Sequence, residues 1–232
     1  MVLDSKEANI IYRLTFADGE QMEHSIGLLN EGASLPAAEW TQLSFHQCSH
    51  CPLDPAEVPE CPLAAALQQP VHLLSTHASY EEVDVQVFWR GRETRQHTTL
   101  QRAAGSMLGA IGACSGCPYT RTLKTMAWFH WPLCGTEETL YRVFGSYLLG
   151  QYLRSQRGLS ADWQLDGLRE IYGNLRKVNL GMAKRLRAAA EEDSSVNGLI
   201  LLDLLAADTQ YMLDQYAGEL DSFFAAYLHG PD

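Results

Sequence analysis

The chain has 232 residues, 46% hydrophobic and 19% charged, with a formal net charge of −11 at pH 7 and a sequence pI near 5.1. That composition is globular and excludes a disordered or fibrous chain. An acidic surface of this size would repel phosphates, which excludes bulk, non-specific nucleic-acid binding.

Neither a membrane segment nor an export segment is expected. Met1 to Asn9 carries charges where a signal peptide needs an apolar core. The strongest apolar run, Leu199 to Ala207, is too short to cross a bilayer and contains Asp203. The expectation is a cytoplasmic protein, and cytosolic thiols are kept reduced. Six cysteines then point to metal binding or thiol chemistry, not to a disulfide framework.

The first part reads as strands. Ile10 to Phe16 and Gln21 to Leu28 flank Asp18-Gly19, a dipeptide that tolerates positive φ and marks a hairpin. Glu82 to Trp89 alternates Val83, Val85 and Val87 with polar neighbours, and Arg90-Gly91-Arg92 turns it into Glu93 to Thr98. Two hairpins predict one four-stranded antiparallel sheet. Between them, Glu31 to Glu60 is irregular and proline-rich, and Pro62 to about Thr76 reads as a helix that Pro70 would break or kink.

From Thr99 onward the chain reads as helices. One starts at Thr136, carries Leu140, Val143, Phe144, Tyr147 and Leu148 on one face, and ends at Gly158. Another runs from about Leu165 to Ala190, with Leu168, Ile171, Leu175, Val178, Met182 and Leu186 on one side. Asp193-Ser194-Ser195 is a polar stop before a last helical region reaching about Tyr227. The expected fold is α+β: an N-terminal four-stranded antiparallel sheet with a cysteine-rich irregular segment, then a C-terminal helical bundle. Its parts are 1–98 and 99–232, either separate or one compact unit joined through a metal site.

The chemistry concentrates in the cysteines. Cys48-Ser49-His50-Cys51 and Cys114-Ser115-Gly116-Cys117 each have the two-residue gap that lets one turn present two thiolates to an ion. The 62 intervening residues exceed the spacing of a compact zinc ribbon, so the fold would have to assemble the site. Cys61-Pro62 and Cys117-Pro118 each look like a helix start, where proline is favoured and a sulfur would face free amides. The expected ligands are therefore Cys48, Cys51, Cys61 and Cys117, with Cys114 as the main substitute and His46 or His50 as replacements for a sulfur. Cys134 lacks a partner at useful spacing and reads as buried packing. Four thiolates suit zinc or an iron–sulfur cluster, and zinc leads.

Phe45-His46-Gln47-Cys48-Ser49-His50-Cys51-Pro52-Leu53, Cys61-Pro62, Ser115-Gly116-Cys117-Pro118 and Glu192-Asp193-Ser194-Ser195-Val196-Asn197 together resemble an uncharacterised bacterial family, a domain of unknown function with a CxxCP…CP…SGCP pattern. The resemblance spans most of the chain. It implies a cytoplasmic bacterial protein with four such cysteines and carries no activity. Cys114 and Cys134 fall outside that pattern.

Other features weigh less. Gly105, Gly109, Gly112 and Gly116 recur at helical spacing, most simply to let another backbone approach. Arg169, Arg176 and Arg187, with Lys177 and Lys184 beside them, form a basic stripe that local carboxylates would neutralise. His130, Glu138 and Arg142 could form a buried reactive group, and Cys117 could pair with His130 as a nucleophile. Asn174, Asn179, Asn197 and Asp203 could join in a polar network. No HExxH, nucleophile elbow, Walker motif or dinucleotide fingerprint is present. The leading expectation is a non-enzymatic protein with a structural zinc, whose helical part meets a protein partner or a second copy. The alternatives are an iron–sulfur or thiol-based redox sensor and a small enzyme with a Cys- or metal-based site.

Overall fold

Four strands pair in the order β2-β1-β3-β4, antiparallel throughout: β1 (Asn9–Phe16), β2 (Gln21–Gly27), β3 (Glu82–Trp89) and β4 (Arg92–Thr99). This is a computed structural model that describes residues 8–29, 36–189, 207, 209–211, 213, 214, 218 and 220–230. Both hairpins fall where the turn chemistry predicts. Gly19 has φ 89°, and the Glu20 amide donates to the Asp18 carboxylate at 2.9 Å. In the second turn Arg90 and Gly91 have φ 50° and 73°, the doubly positive pair whose twist matches the flanking strands.

Alternation gives the sheet one apolar face. Ile10, Tyr12, Leu14 and Phe16 point inward from β1, and Val83, Val85, Val87 and Trp89 from β3. The register sets Leu14 between Met22 and Val85, and Tyr12 between His24 and Val87. The opposite face stays polar, with a cross-strand Arg13–Glu23 ion pair at 2.8 Å. Such exposed pairs add only tenths of a kcal/mol, so burial holds the sheet.

Helices α1 (Pro62–Leu74) and α2 (Leu100–Cys114) bring Leu63, Leu67 and Leu74, and Leu100, Met107, Leu108 and Ile111, into the same core as the sheet. Pro70 lies inside α1, and the helix runs on to Leu74. The lost amide is tolerated because Leu67, Pro70, Val71 and Leu74 are all buried there. At Gly112 an added Cβ would lie 3.6 Å from Leu63, so this glycine sits where α2 meets α1.

Then follow α3 (Lys124–Trp128), α4 (Thr136–Ser155) and α5 (Asp166–Ala189). Helix α5 serves two cores. Val178, Met182 and Leu186 join the sheet core, while Leu168, Tyr172 and Leu175 pack with Val143 of α4 and Leu213. Leu148 does not follow Leu140 and Val143 inward; it is exposed together with Leu149, Tyr152 and Leu153. The basic stripe is neutralised locally at Arg169, which meets Asp166 at 3.0 Å and Asp214 at 3.3 Å. Asp193-Ser194-Ser195, Asn197 and Asp203 lie outside the described residues. Beyond them the chain shows a 3-10 turn, Asp221–Phe224, and a short helix, Ala225–Leu228. Among the described residues no helix is long and apolar enough to cross a membrane.

Leu14 is fully buried at the centre of the sheet. Leu14→Ala should lower unfolding stability by about 2–5 kcal/mol in a denaturant titration, the range for a large core truncation.

Candidate functional site

The segment from Ala38 to Cys61 has little regular structure of its own. Its order comes from a few backbone bonds, including Leu43 N–H to Pro59 at 2.8 Å and Cys61 N–H to Thr41 at 2.8 Å. A 3-10 turn spans Glu39–Thr41, and Gln42 bridges to Glu60. The Thr41 hydroxyl donates to the Glu60 carboxylate at 2.8 Å. Cys48 and Cys51 close a turn, with the Cys51 amide donating to the Cys48 carbonyl at 2.9 Å.

The strongest tie to the rest of the molecule is Arg185. Only 2% of its surface is exposed, and its guanidinium donates to the carbonyls of Trp40 and Gln42, each at 2.6 Å, and of Leu43 at 3.4 Å. No carboxylate of the described residues pairs with it. Burial depresses its pKa, and the groups that push back are the thiols of Cys61, Cys48 and Cys51. A buried cation needs its charge met; the Phe45 ring lies 5.8 Å from the guanidinium carbon, and the thiols are its titratable neighbours.

All six cysteines are free thiols. Cys48 is pushed up to about 11, first by burial, then by Cys61, Cys51 and Cys117, with Arg185 pulling the other way. An added Cβ on Gly181 of α5 would come within 2.8 Å of the Cys48 sulfur, so this glycine lets the loop approach the helix. Cys61 is the N-cap of α1 with Pro62 behind it, as the dipeptide predicts. Cys117 differs from the expectation. It sits in a turn before the 3-10 segment Arg121–Leu123, not at the start of an α-helix. Amides of Tyr119 and Thr120 still face its sulfur and favour thiolate, but burial is larger and raises its pKa. Gly116, at φ 86°, would carry a Cβ 3.8 Å from Pro62, which sets the two Cys-Pro pairs side by side.

These sulfurs are within electrostatic reach of one another, but among the described residues no three His, Cys, Asp or Glu side chains are drawn together closely enough to hold a metal ion. Cys114 stands apart, buried on α2 with Lys124 as its charged neighbour. His50 stacks on Tyr119 at 4.3 Å, and the Tyr119 hydroxyl donates to the His50 carbonyl. The pKa of His50 is lowered, first by burial and then by Lys177, with the Asn174 backbone pulling the other way. His46 is exposed at φ 47° and packs edge-on to Phe45.

The proposed His130–Glu138–Arg142 group is arranged differently. Glu138 is exposed and caps α4, accepting from the Gly135 amide at 2.8 Å. His130 instead meets Tyr12, its Nε2 2.7 Å from the phenol oxygen, which also lies 2.7 Å from Ser106 Oγ. Arg142 donates to the carbonyl of Met126 at 2.9 Å and contacts Cys134 Sγ at 3.6 Å. Cys117 does not pair with His130; its titratable neighbours are Cys61 and Cys51.

Sequence reasoning passed over Arg185 and Tyr12, and both left a signal. Arg185 follows Val178 and Met182 at helical spacing, one residue before Leu186, and so sits on the apolar stripe of α5. Tyr12 shares the inward parity of Ile10 and Leu14.

Burial and the Arg142 charge push His130 down to about 3, against about 6.5 in an unfolded chain. Between those values the unfolded chain takes a proton that the folded one refuses, so stability should fall as pH drops from about 6.5, by up to about 1.4 kcal/mol per unit. His130→Gln keeps a hydrogen-bond partner for Tyr12 but cannot titrate. Urea melts of the two proteins between pH 7 and 4 should show the variant losing less stability on acidification.

No curated protein and no solved structure matches this chain. A family model does, over residues 10–225, a span that takes in the sheet, helices α1 to α5 and the CxxCP, CP and SGCP cysteines. The chain therefore belongs to that family, described as a domain of unknown function (DUF6901).

Proposed function

We propose that the protein is a non-enzymatic metal binder in which Cys48, Cys51, Cys61 and Cys117 hold one structural zinc ion. The observation that carries this reading is Arg185, a buried guanidinium with no carboxylate and three of these four thiols as its titrating neighbours. Four thiolates around a divalent cation leave a net negative charge, which Arg185 would balance. As free thiols the same sulfurs leave the arginine with carbonyl dipoles and the face of the Phe45 ring, 5.8 Å away, but no opposite full charge.

The donor set suits zinc, which takes four thiolates without redox chemistry. Cys61 and Cys117 pack against the sheet core, and Cys48 lies against Gly181 of α5. An ion gathering them would join the 38–61 segment, the start of α1, the turn after α2 and α5. Binding would draw the sulfurs inward, so its free energy would add directly to folding stability. Tyr141, Leu149 and Tyr152 of α4 are exposed, which supports a helical surface for a protein partner or a second copy.

Elemental analysis of protein purified without oxygen should find one zinc per chain. Cys61→Ser and Cys117→Ser should each lose the metal and lower the melting temperature, while Cys114→Ser should keep it. Retention of full metal by Cys61→Ser would remove Cys61 from the site. A chain that neither carries zinc nor gains stability when zinc is added sinks the proposal. Iron with acid-labile sulfide and a visible charge-transfer band would replace zinc by a cluster on the same residues.

Gly181→Ala places a methyl against the Cys48 sulfur. It should weaken zinc affinity in a chelator competition, although residue 181 offers no ligand.

A further inference from the structure

A partly open cavity of about 560 Å³ is lined by residues of α1, α2, α4 and α5, by the segment between α2 and α4, and by Thr209. Small-molecule sites are clefts or cavities of about 300–1,000 Å³, and this one falls within that range. Its walls are mainly apolar, with Leu67, Leu108, Leu133 and Leu175 among them. Two polar features and one strained residue converge on it.

The first is Arg142. Its guanidinium donates to the carbonyls of Met126 at 2.9 Å and Trp131 at 3.3 Å and to Cys134 Sγ at 3.6 Å. No carboxylate of the described residues lies within ion-pair distance. Glu138, the nearest acid in the sequence, is engaged on the Gly135 amide. The arginine's field accordingly reaches Tyr12, Cys134 and Tyr172, where it favours the anion, and His130, where it disfavours the imidazolium.

The second is the Ser106–Tyr12–His130 chain, in which Tyr12 is wholly buried while Ser106 and His130 line the cavity. It spans strand β1, helix α2 and the loop after α3 and fixes the wall at that point. The third is Leu133, held at φ 59° while its amide donates to Ser106 Oγ at 2.9 Å. A leucine in the left-handed region is strained and needs its surroundings to hold it, and such strain gathers at ligand sites.

We propose that this cavity binds a small molecule with an apolar body and a single carboxylate head, the head on Arg142 and the body along Leu67, Leu108 and Leu175. A carboxylate matches one guanidinium in charge and in fork geometry. Arg102 of α2 also lines the cavity but is exposed to solvent, whereas the Arg142 guanidinium is fixed by its bonds to Met126, Trp131 and Cys134 and so sets the head position. The site is separate from the proposed zinc ligands, so each can fail without the other.

Calorimetric titration of the full chain with decanoate and with decan-1-ol, equal in chain length and differing in charge, tests the assignment. Decanoate should bind saturably, and the alcohol about ten-fold or more weaker, as expected when one charge-assisted contact is lost. Arg142→Gln should bring the acid down to the alcohol's affinity. Thr139 lines the cavity, and Thr139→Trp should fill it and block the acid while circular dichroism stays that of the parent. That variant keeps the test decisive if Arg142→Gln does not fold. Equal affinity for acid and alcohol overturns the anionic head, and decanoate binding undiminished in Thr139→Trp, or absent from the parent, overturns the site.

Discussion

The junction of this molecule depends on one buried cation. Arg185 leaves the apolar face of α5 and takes the carbonyls of Trp40, Gln42 and Leu43. Burying a guanidinium costs several kcal/mol unless its donors and its charge are both satisfied. The carbonyls satisfy donors and leave the charge. The 38–61 segment cannot supply a packed core of its own, so this grip orders its first part, and the thiols that follow stand where a counter-charge is required.

Two kinds of order meet there. The sheet and its covering helices are held by apolar burial, a non-directional force that tolerates local change. The cysteine-rich segment is held by directional polar contacts, from Arg185, from Thr41 to Glu60 and from Tyr119 to His50. A polar joint is specific in geometry and costly to leave half-satisfied. That contrast explains why a metal ion would act here and not within the sheet. An ion adds strength where hydrophobic area is scarce.

The cavity beside α2 follows a similar rule. Arg142 spends its hydrogen bonds on carbonyls and a thiol, again leaving its charge unmatched. Both arginines sit between elements distant in sequence, both have backbone oxygens as partners, and both face sulfur. They differ in surroundings. Arg185 is enclosed by protein, whereas Arg142 borders open space. On the proposed readings, the first would serve a fixed ion site and the second an exchangeable ligand.

Much of the scaffold was legible in the residues themselves. The parity of Val83, Val85 and Val87, the turns at Asp18-Gly19 and Arg90-Gly91 and the Cys61-Pro62 helix start are local, and local geometry follows from steric preference. The helical context expected for Cys117 did not hold, because Gly116 at positive φ ends α2 in a turn that Thr120 closes, its amide donating back to the Cys117 carbonyl. Glu138, expected to group with His130 and Arg142, instead serves the end of its own helix.

By itself the sequence determined two hairpins, one sheet and the helices that follow, since each of these rests on near-neighbour chemistry. Only the tertiary structure decided that Arg185 turns inward, that Tyr12 meets His130 across 118 positions and that Cys114 parts company with Cys117. Periodicity tells which way a side chain points, but what waits for it there depends on how separate elements pack, and a buried charge is set by everything around it.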